Sequence, residues 1–402
     1  MKHQIMNNDQ HDDLKRQVFG FDKNIFFAGL TSFLTDTSTK MVYCIMPLFL
    51  LSIGASKTTL SLIEGIAEST ASILNALSGL WSDKIGRNKP FMIIGYALTA
   101  LITPIYSTAA SPLQILYLRF LERVGKGIRT APRDSLVAKS SLHGKTGTSF
   151  GIHKAMDNCG AIVGPLISFL ILLAFPGGYR RIFLFAAIPA FLGVLTIIFF
   201  IKEAKAKQES LIKKISLKDF SKSYYIFLII VFIFTLGNST DALLLVKANG
   251  IGIGVAYIPL VYLIFNSVSV ILSVPAGRLA DKIGKEKLII FGYLIYSTVY
   301  YGFGRTSNEI ILVILFLLYG VYSAATDGIQ KAQVSDLLDK DKKGAGIGIY
   351  NSLLGITLLP ASLIAGVLYD RVNSSVPFYF GASTALAAAV LLFITRGKFS
   401  HS

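Results

Sequence analysis

The sequence predicts an all-α membrane protein in which twelve transmembrane helices form two pseudo-symmetric six-helix bundles around a central cavity. Of its 402 residues, 53% are hydrophobic and only 15% are charged, whereas about a quarter of the residues of a soluble domain are charged. Apolar stretches that approach the length of a bilayer crossing, about 20 residues, recur twelve times along the chain. A short motif between two of these stretches also recurs half a chain later, which indicates an internal repeat.

The repeated motif reads glycine, aspartate, glycine and then a cation, and its two copies lie 198 residues apart. Each copy falls between two apolar stretches, so each is predicted to be a short basic turn that joins two helices. The motif positions are Gly79, Asp83, Gly86 and Arg87 in the first copy and Gly277, Asp281, Gly284 and Lys285 in the second.

This spacing resembles the loop signature of the major facilitator superfamily, which lies between the second and third helices and again between the eighth and ninth. The resemblance implies a secondary transporter that works by alternating access, with both motif copies in a cytoplasmic gate. The basic continuation of the fourth helix, with Arg129, Arg133 and Asp134, is expected to form ion pairs across this gate. Pro132 is expected to bend or end that helix.

The predicted organisation has two helical bundles, a linker and two tails. The predicted spans are 24–51, 58–81, 90–110, 112–130, 147–175, 180–201, 223–247, 252–277, 288–304, 308–330, 344–369 and 376–395. The predicted regions are an N-terminal tail (1–23), a first bundle (24–201), a basic linker (202–222), a second bundle (223–395) and a C-terminal tail (396–402).

The positive charge indicates membrane topology. With the N-terminus in the cytoplasm, 29 of the 39 Lys and Arg residues fall in cytoplasmic segments and 6 fall outside, as the positive-inside rule requires. The sequence therefore predicts a multi-pass protein of the cytoplasmic (inner) membrane with both termini and the linker inside. Because the cations cluster in short segments between apolar stretches, the net charge of +16 does not indicate a nucleic-acid partner.

No cofactor or metal site is predicted. Cys44 and Cys159 both fall within predicted helices, and the five histidines have no ligand spacing. No nucleophile with an adjacent base is evident, which argues against a membrane enzyme. The polar N-terminal stretch before Lys23 has no apolar segment followed by a cleavage site, so it is not expected to be a secretory signal.

Charged residues within the predicted spans are the candidate proton-coupling groups. A charge at the bilayer centre costs at least about 2.5–3.5 kcal/mol, so such residues normally face a cavity and a partner. A carboxylate can carry a proton, and an approaching arginine lowers its proton affinity. The predicted coupling residues are Asp36, Glu68 and Asp157, with Arg119 and Arg123 as their switching partners.

The two walls of the cavity are expected to differ in charge. Asp241 and Asp327 fall closer to predicted helix ends, so the second-half wall is expected to carry amide and aromatic groups without charge. The alternative left open is that the buried ions pair only with each other to hold helices together. The further cavity residues predicted are Lys40, Glu64, His153 and Lys154 in the first half, and Asn238, Tyr262, Asn266, Tyr319, Tyr322 and Asn351 in the second.

Two more stretches resemble motifs of the same superfamily. Arg119, Glu122 and Gly125 resemble the fourth-helix motif Arg-x-x-Gln-Gly-x-Gly, whose arginine is tied to proton coupling, with Glu122 in place of the glutamine and Arg123 in place of the first glycine. The stretch from Gly160 to Pro165 resembles the Gly-x-x-x-Gly-Pro motif of proton antiporters, although a Ser-Phe pair replaces its terminal glycines. Close helix packing alone would also account for these small residues.

The predicted function is secondary active transport of a small polar or charged organic solute, coupled to protons, by a monomer in the lipid bilayer. The solute could be a metabolite, a carboxylate or a metal chelate such as a siderophore. One alternative is a proton-driven multidrug efflux antiporter, which the partial antiporter motif favours, although lipophilic drugs usually bind aromatic cavities. Another is a non-transporting membrane sensor or receptor, which would normally carry an added soluble domain.

Overall fold

The computed structural model describes residues 17–18, 21–141, 146–203, 220–339 and 342–398. These ranges contain fourteen α-helices and a two-stranded antiparallel ribbon of β1 (Gln17–Val18) and β2 (Phe21–Asp22). The first-half helices are α1 (Lys23–Tyr43), α2 (Met46–Ser52), α3 (Lys57–Ile85), α4 (Lys89–Ile105), α5 (Pro112–Ser140), α6 (Thr146–Ala174) and α7 (Tyr179–Phe200). The second-half helices are α8 (Lys222–Gly237), α9 (Ala242–Ile251), α10 (Ile258–Ile283), α11 (Lys285–Arg305), α12 (Glu309–Asp336), α13 (Lys343–Arg371) and α14 (Val376–Thr395).

Each of the twelve predicted spans corresponds to one helix or to a pair of consecutive helices. In the described part of the chain, eight helical segments are long and apolar enough to cross a membrane by length and composition alone. Among the other four, α3 and α5 carry several of the charged residues that the sequence places inside the membrane. Most of the predicted linker, 204–219, lies outside the described residues.

Two crossings that the sequence presents as continuous are each broken into two helices. The first breaks between Tyr43 and Met46, where Pro47 cannot donate a backbone hydrogen bond. The seventh breaks between Gly237 and Ala242, across four polar residues. The breaks fall at corresponding places in the two halves, and the second one places Asp241 inside the protein.

Both copies of the repeated motif form tight turns between helices. Helix α3 ends at Gly86, which has a φ of 70°, and α10 ends at Gly284, which has a φ of 99°. Glycine adopts positive φ values without a steric penalty. In the first copy, the backbone N–H groups of Asn88 and Lys89 also donate to the carboxylate of Glu203, at 2.8 and 3.0 Å. This carboxylate satisfies donors at the N-terminus of α4.

The fourth crossing is longer than predicted. Pro132 was expected to bend or end this helix; it lies inside α5, which continues to Ser140, so it does not end the helix. Arg129 and Arg133 continue the helix face of Arg123 and Lys126, since consecutive members of this series are three or four residues apart. They therefore reach the cavity instead of a loop.

Close backbone contacts position the helices that line the cavity. Helix α6 packs on α1 where a Cβ at Gly164 would lie 2.5 Å from the carbonyl oxygen of Thr37. Helix α5 packs on α4 where a Cβ at Gly125 would lie 2.7 Å from the carbonyl oxygen of Gly95. Small residues permit such approach between membrane helices. The partial antiporter motif in α6 thus has a packing role.

The two halves meet at one end of the molecule and separate at the other. At the closed end, the carboxylate of Asp370 on α13 accepts from the backbone N–H and the hydroxyl of Thr58 on α3, at 2.7 and 2.8 Å. At the opposite end, no other part of the described chain comes within 4 Å of the positions that a Cβ would take at Gly151 on α6 and at Gly277 on α10. This open end carries the two basic turns.

Candidate substrate cavity

A cavity of about 550 Å³ lies between the two halves. Helices α1, α3, α5 and α6 supply one wall, and the break between α8 and α9, together with α10, α12 and α13, supplies the other. The lining includes seven acidic and seven basic side chains. These are Asp36, Glu64, Glu68, Glu122, Asp157, Asp241 and Asp327, and Lys40, Arg119, Arg123, Lys126, Arg129, Arg133 and Lys154.

Arg119 is the centre of a buried ion cluster. Its side chain is 1% exposed and contacts Glu64, with Nε and Nη2 at 3.1 and 2.6 Å from Oε1. Its Nη1 donates to Oε2 of Glu122 at 2.9 Å, and the Tyr106 hydroxyl donates to the same oxygen at 2.7 Å. Two carboxylates therefore share one guanidinium, and removing this buried cation would be strongly destabilising.

A second ion pair lies one helical turn away in the same interface. Arg123 contacts Glu68 at 2.8 Å. Because Arg119 and Arg123 are four residues apart on α5, and Glu64 and Glu68 are four apart on α3, the two pairs form adjacent rungs between the helices. The Glu68 side chain is 34% exposed whereas that of Glu64 is 2% exposed. The second rung is therefore the more accessible of the two from the cavity.

A third group of ions lies between α1 and α6. Lys154 Nζ contacts Asp157 Oδ2 at 2.6 Å. Asp36 lies opposite, because its Cβ is 3.1 Å from the position of a Cβ at Gly160, one turn beyond Asp157. The three predicted coupling carboxylates, Asp36, Glu68 and Asp157, all line the cavity.

His153 does not line the cavity, contrary to the prediction. It is buried against α1, where its Nε2 shares a 2.9 Å hydrogen bond with the hydroxyl of Ser32. Arg133 also contacts this hydroxyl, at 3.3 Å. His153 and Asp157 are four residues apart, which suggested that they share a helix face. However, His153 directly precedes the cavity-lining Lys154, so its side chain points to a neighbouring part of the helix surface, toward the interface with α1.

The second-half wall carries charge, which corrects the expectation of an uncharged surface. Asp241 lines the cavity at the helix break and accepts a 2.7 Å hydrogen bond from the Tyr319 hydroxyl. Asp327 accepts from the hydroxyl of Ser323 at 2.6 Å. Helix α12 extends to Asp336, six residues past the predicted span, and this places Asp327 away from the helix end.

Aromatic and amide groups occupy the rest of this wall, as predicted for four of the residues. Asn238, Tyr262, Tyr319 and Tyr322 all line the cavity. Lys40 crosses from α1 and donates to the Tyr262 hydroxyl at 2.8 Å, with its Nζ 5.4 Å from the centre of that ring. The two walls thus touch near the closed end through a cation and a phenol.

The remaining second-half residues lie elsewhere. Asn266 lines a second cavity of about 640 Å³ between α6, α10 and α12. Asn351 is half-buried and is not among the lining residues of either cavity in the described part of the chain, so its predicted position is wrong. The depth of a residue in the membrane does not by itself identify a lining residue, because the helix must also turn that residue toward the cavity.

The predicted gate residues divide among three places. Gly277, Asp281 and Lys285 line the second cavity, and Lys285 pairs with Asp336 at 2.6 Å. Arg129 and Arg133 line the central cavity instead of a gate, and Asp134 pairs with the adjacent Arg133 at 2.9 Å. Gly79 lies against Ala131 and Arg87 is exposed, while the side chain of Asp83 lies outside the described residues.

The sequence prediction missed several lining residues, including Tyr43, Lys126, Phe265 and Ser323. For Lys126 a signal existed, since it follows Arg123 by three residues and so shares its helix face. The aromatic and hydroxyl residues offered none, because such side chains are common in membrane helices.

The matched family model is that of the major facilitator superfamily, with matches over residues 28–265 and 227–401. The chain belongs to the major facilitator superfamily. It is therefore a membrane transporter, which acts on a small-molecule substrate in a lipid bilayer, and not an enzyme.

Several curated relatives match most of the chain. An uncharacterised transporter of this superfamily from Methanocaldococcus jannaschii is 34% identical over 377 residues, covering 92% of this chain and 94% of the relative. The multi-drug resistance efflux pump PmrA of Streptococcus pneumoniae is 26% identical over 344 residues, covering 81% and 82%. Multidrug resistance protein 2 of Bacillus subtilis is 24% identical over 396 residues, covering 94% and 96%.

Solved structures confirm the predicted fold class. A peptide-transporter (POT) family protein in complex with 5-aminolevulinic acid superposes with a TM-score of 0.81 at 13% identity, covering 96% of this chain and 98% of that one. The nucleoside transporter NupG, as a mutant, gives a TM-score of 0.77 at 11% identity, covering 92% and 99%. At these identities the likeness concerns the fold alone.

Proposed function

We propose that this protein is a proton-coupled secondary transporter of a small charged organic solute. The observation that carries the proposal is the cavity of about 550 Å³, closed at one end and lined by fourteen acidic and basic side chains. Ionised groups are expensive to hold within a membrane unless they have partners or a function. A solute that forms hydrogen bonds and ion pairs with this lining repays part of that cost.

Three carboxylates are proposed to couple transport to protons. Glu68 and Asp157 each pair with a cation, at 2.8 and 2.6 Å, and Asp36 faces the same cavity. A carboxylate whose cation withdraws during alternating access gains proton affinity, and it loses that affinity when the cation returns. Glu68 or Asp157 is the proposed carrier, with Asp36 in reserve and Arg119 or Arg123 as the switching partner.

We propose that the open end of the cavity faces the cytoplasm. Both basic turns lie at this end, and the positive-inside rule favours a cytoplasmic position for basic loops. Lys282 and Thr108 are exposed residues at the open and closed ends respectively. In a variant with Cys159, the exposed native cysteine, replaced by serine, Thr108→Cys should react with an impermeant maleimide in intact cells and Lys282→Cys only after permeabilisation. The reverse pattern would refute the orientation.

Transport itself is tested in proteoliposomes. We expect an imposed pH gradient to drive accumulation of a charged solute from a panel of amino acids, organic acids, amines and ferric chelates. A protonophore should abolish the accumulation, and liposomes without protein provide the baseline. Accumulation that persists with the protonophore would show that protons are not the coupling ion.

Multidrug efflux is the second candidate function, because two relatives carry multidrug names at 26% and 24% identity. The aromatic residues of the second-half wall could bind lipophilic cations. Energised vesicles loaded with ethidium distinguish the candidates. Proton-driven extrusion of ethidium, without accumulation of any polar solute, would favour multidrug efflux.

A further inference from the structure

We propose that the transported solute is a zwitterion, with its anionic group bound by α5 of the first half and its cationic group bound by the acids of the second half. This inference rests on the proposed function and specifies its substrate class. It follows from how charge is distributed between the two walls and from which charges already have partners.

The two walls carry opposite net charge. On the first-half wall, seven cations face five carboxylates, and Asp134, just outside the lining, pairs with Arg133, which leaves an excess of one positive charge. On the second-half wall, Asp241 and Asp327 are the charged lining residues among those described, which gives two negative charges. The cavity is therefore strongly polarised, and a molecule with separated charges of both signs matches it best.

The excess positive charge is concentrated on one stretch of α5. Lys126 lines the cavity, is exposed and forms no ion pair among the described residues. Arg129, one turn further along, is 5% exposed, and its Nη1 contacts the Thr99 hydroxyl and the Gly95 carbonyl oxygen. The Tyr96 ring lies 4.4 Å from its guanidinium carbon. Among the described residues, the hydrogen-bond and ring contacts of Arg129 are neutral, so an arriving carboxylate or phosphate would meet two cations that have no carboxylate within ion-pair distance.

The excess negative charge lies among aromatic rings. Asp241 accepts from the Tyr319 hydroxyl, which is neutral, and Phe265 lies between Tyr319 and Tyr262 with ring centres 5.3 and 5.1 Å away. Asp327 likewise accepts from a neutral hydroxyl. A carboxylate beside aromatic faces favours an ammonium group, through ionic attraction and through cation–π contact.

The cavity size and shape make both groups necessary. A volume of about 550 Å³ is in the range of small-molecule pockets, about 300–1,000 Å³, so a small solute can contact both walls. A simple anion would face two unpaired acids, and a simple amine would face Lys126 and Arg129. A zwitterion also links the two halves, so its binding can favour the closure that alternating access requires.

The first experiment uses matched triplets of probes with the purified full-length protein in detergent, at fixed pH. Each triplet contains an amino acid or dipeptide, its N-acetylated form, which is an anion only, and its amidated form, which is a cation only. Ligand-induced thermal shifts and calorimetry measure binding, and proteoliposome uptake with the same probes measures transport. We expect the unmodified member of at least one triplet to bind more than tenfold more tightly than both of its derivatives.

The second experiment removes each charge separately. Asp241→Asn should weaken binding of the zwitterion by about 10- to 100-fold, the effect of losing a bond to a charged group, and should have much less effect on the N-acetylated form. Lys126→Gln should weaken binding of the zwitterion and leave binding of the amidated form unchanged. Asp339→Asn, which removes an exposed carboxylate paired with Lys342 away from the cavity, is the control and should leave all affinities unchanged.

The outcomes separate this inference from the proposed function. Zwitterion binding without pH-driven uptake would support the inference and refute proton coupling. Proton-driven uptake of anions or cations alone would support the proposed function and overturn the inference. No binding and no uptake for every triplet would refute both, and equal effects of Asp241→Asn on all three members would refute the assigned cation subsite.

Discussion

The two walls of the cavity hold their carboxylates in different ways. In the first half, Glu64 and Glu68 are bound by arginines of α5, at 2.6 and 2.8 Å. In the second half, Asp241 and Asp327 are bound by the hydroxyls of Tyr319 and Ser323, at 2.7 and 2.6 Å. The geometry is similar in both walls, but the partner is a cation in one and neutral in the other.

This difference indicates a division of tasks between the halves. A carboxylate that is paired with a buried guanidinium cannot leave without exposing an uncompensated charge. A carboxylate held by a hydroxyl can accept an incoming cation without breaking an ion pair. The first half is therefore suited to maintaining structure and switching charge, and the second half to recognising the solute.

The largest expected effect comes from breaking the Arg119 cluster. Arg119→Ala leaves Glu64 and Glu122 buried without their cation, so we expect a loss of about 3–5 kcal/mol of stability and no transport. Thermal unfolding of the purified protein measures the loss of stability, and proteoliposome uptake measures the loss of transport. Arg305→Ala, at an exposed site, is the control and should change stability by less than about 0.5 kcal/mol. Unchanged stability in Arg119→Ala would contradict the structural role of the first-half wall.

The next effect concerns coupling. Neutralising the true proton carrier should abolish pH-driven accumulation and leave substrate counterflow largely intact, because exchange needs no net proton movement. The variants are Asp36→Asn, Glu68→Gln and Asp157→Asn, measured in both assays. Since Glu68 is one-third exposed and Glu64 is nearly inaccessible, Glu64→Gln is the matched comparison and should impair both activities.

The comparison between walls fails if the second half carries the proton. Full pH-driven accumulation in all three first-half variants would exclude the proposed carriers. In that case Asp241→Asn and Asp327→Asn should show the selective loss of accumulation instead.

How far the sequence could predict this arrangement depends on the kind of signal. Most helix boundaries were predictable within a few residues, since membrane crossings have a fixed length and clear polar ends. The ends of α5 and α12 were not, because both helices continue past the apolar stretch as polar cavity-lining turns. Neither helix break was predicted, since hydropathy does not reveal a local interruption by Pro47 or by the polar residues before Ala242.

The site residues were predictable where they are charged residues within apolar spans. Asp36, Glu68, Arg123 and Asp157 stand out because charges are rare in apolar spans, and all four line the cavity. The sequence did not show which acid pairs with which arginine, because the ion pairs depend on how α3 and α5 are rotated against each other. The acids of the second wall were misplaced, since their depth depended on the break before Ala242 and on the true end of α12.

A smaller effect is expected at the repeated turns, where the two halves can be compared directly. Asp83→Asn and Asp281→Asn should both fold normally, since Asp281 is exposed and forms no ion pair among the described residues, but transport should be lost if these carboxylates stabilise closure of the open end. Uptake per folded protein, with the amount of protein set by fluorescence, measures this. Asp339→Asn, which removes an exposed pair with Lys342 outside the repeated motif, is the control and should leave transport unchanged. Normal transport in both variants would reduce the motif to a topological marker.

The smallest effect should distinguish the two glycines that end α3 and α10. Gly86 has φ 70° and ψ 18°, a left-handed conformation that asparagine tolerates. Gly284 has φ 99° and ψ 136°, far from the regions open to residues with a Cβ. Gly86→Asn should therefore cost less than about 1 kcal/mol of stability, whereas Gly284→Asn should cost about 1–3 kcal/mol. Thermal unfolding of the two variants measures the difference. Equal costs would mean that the two turns share one backbone conformation, and the repeat would then be more symmetric than the structure indicates.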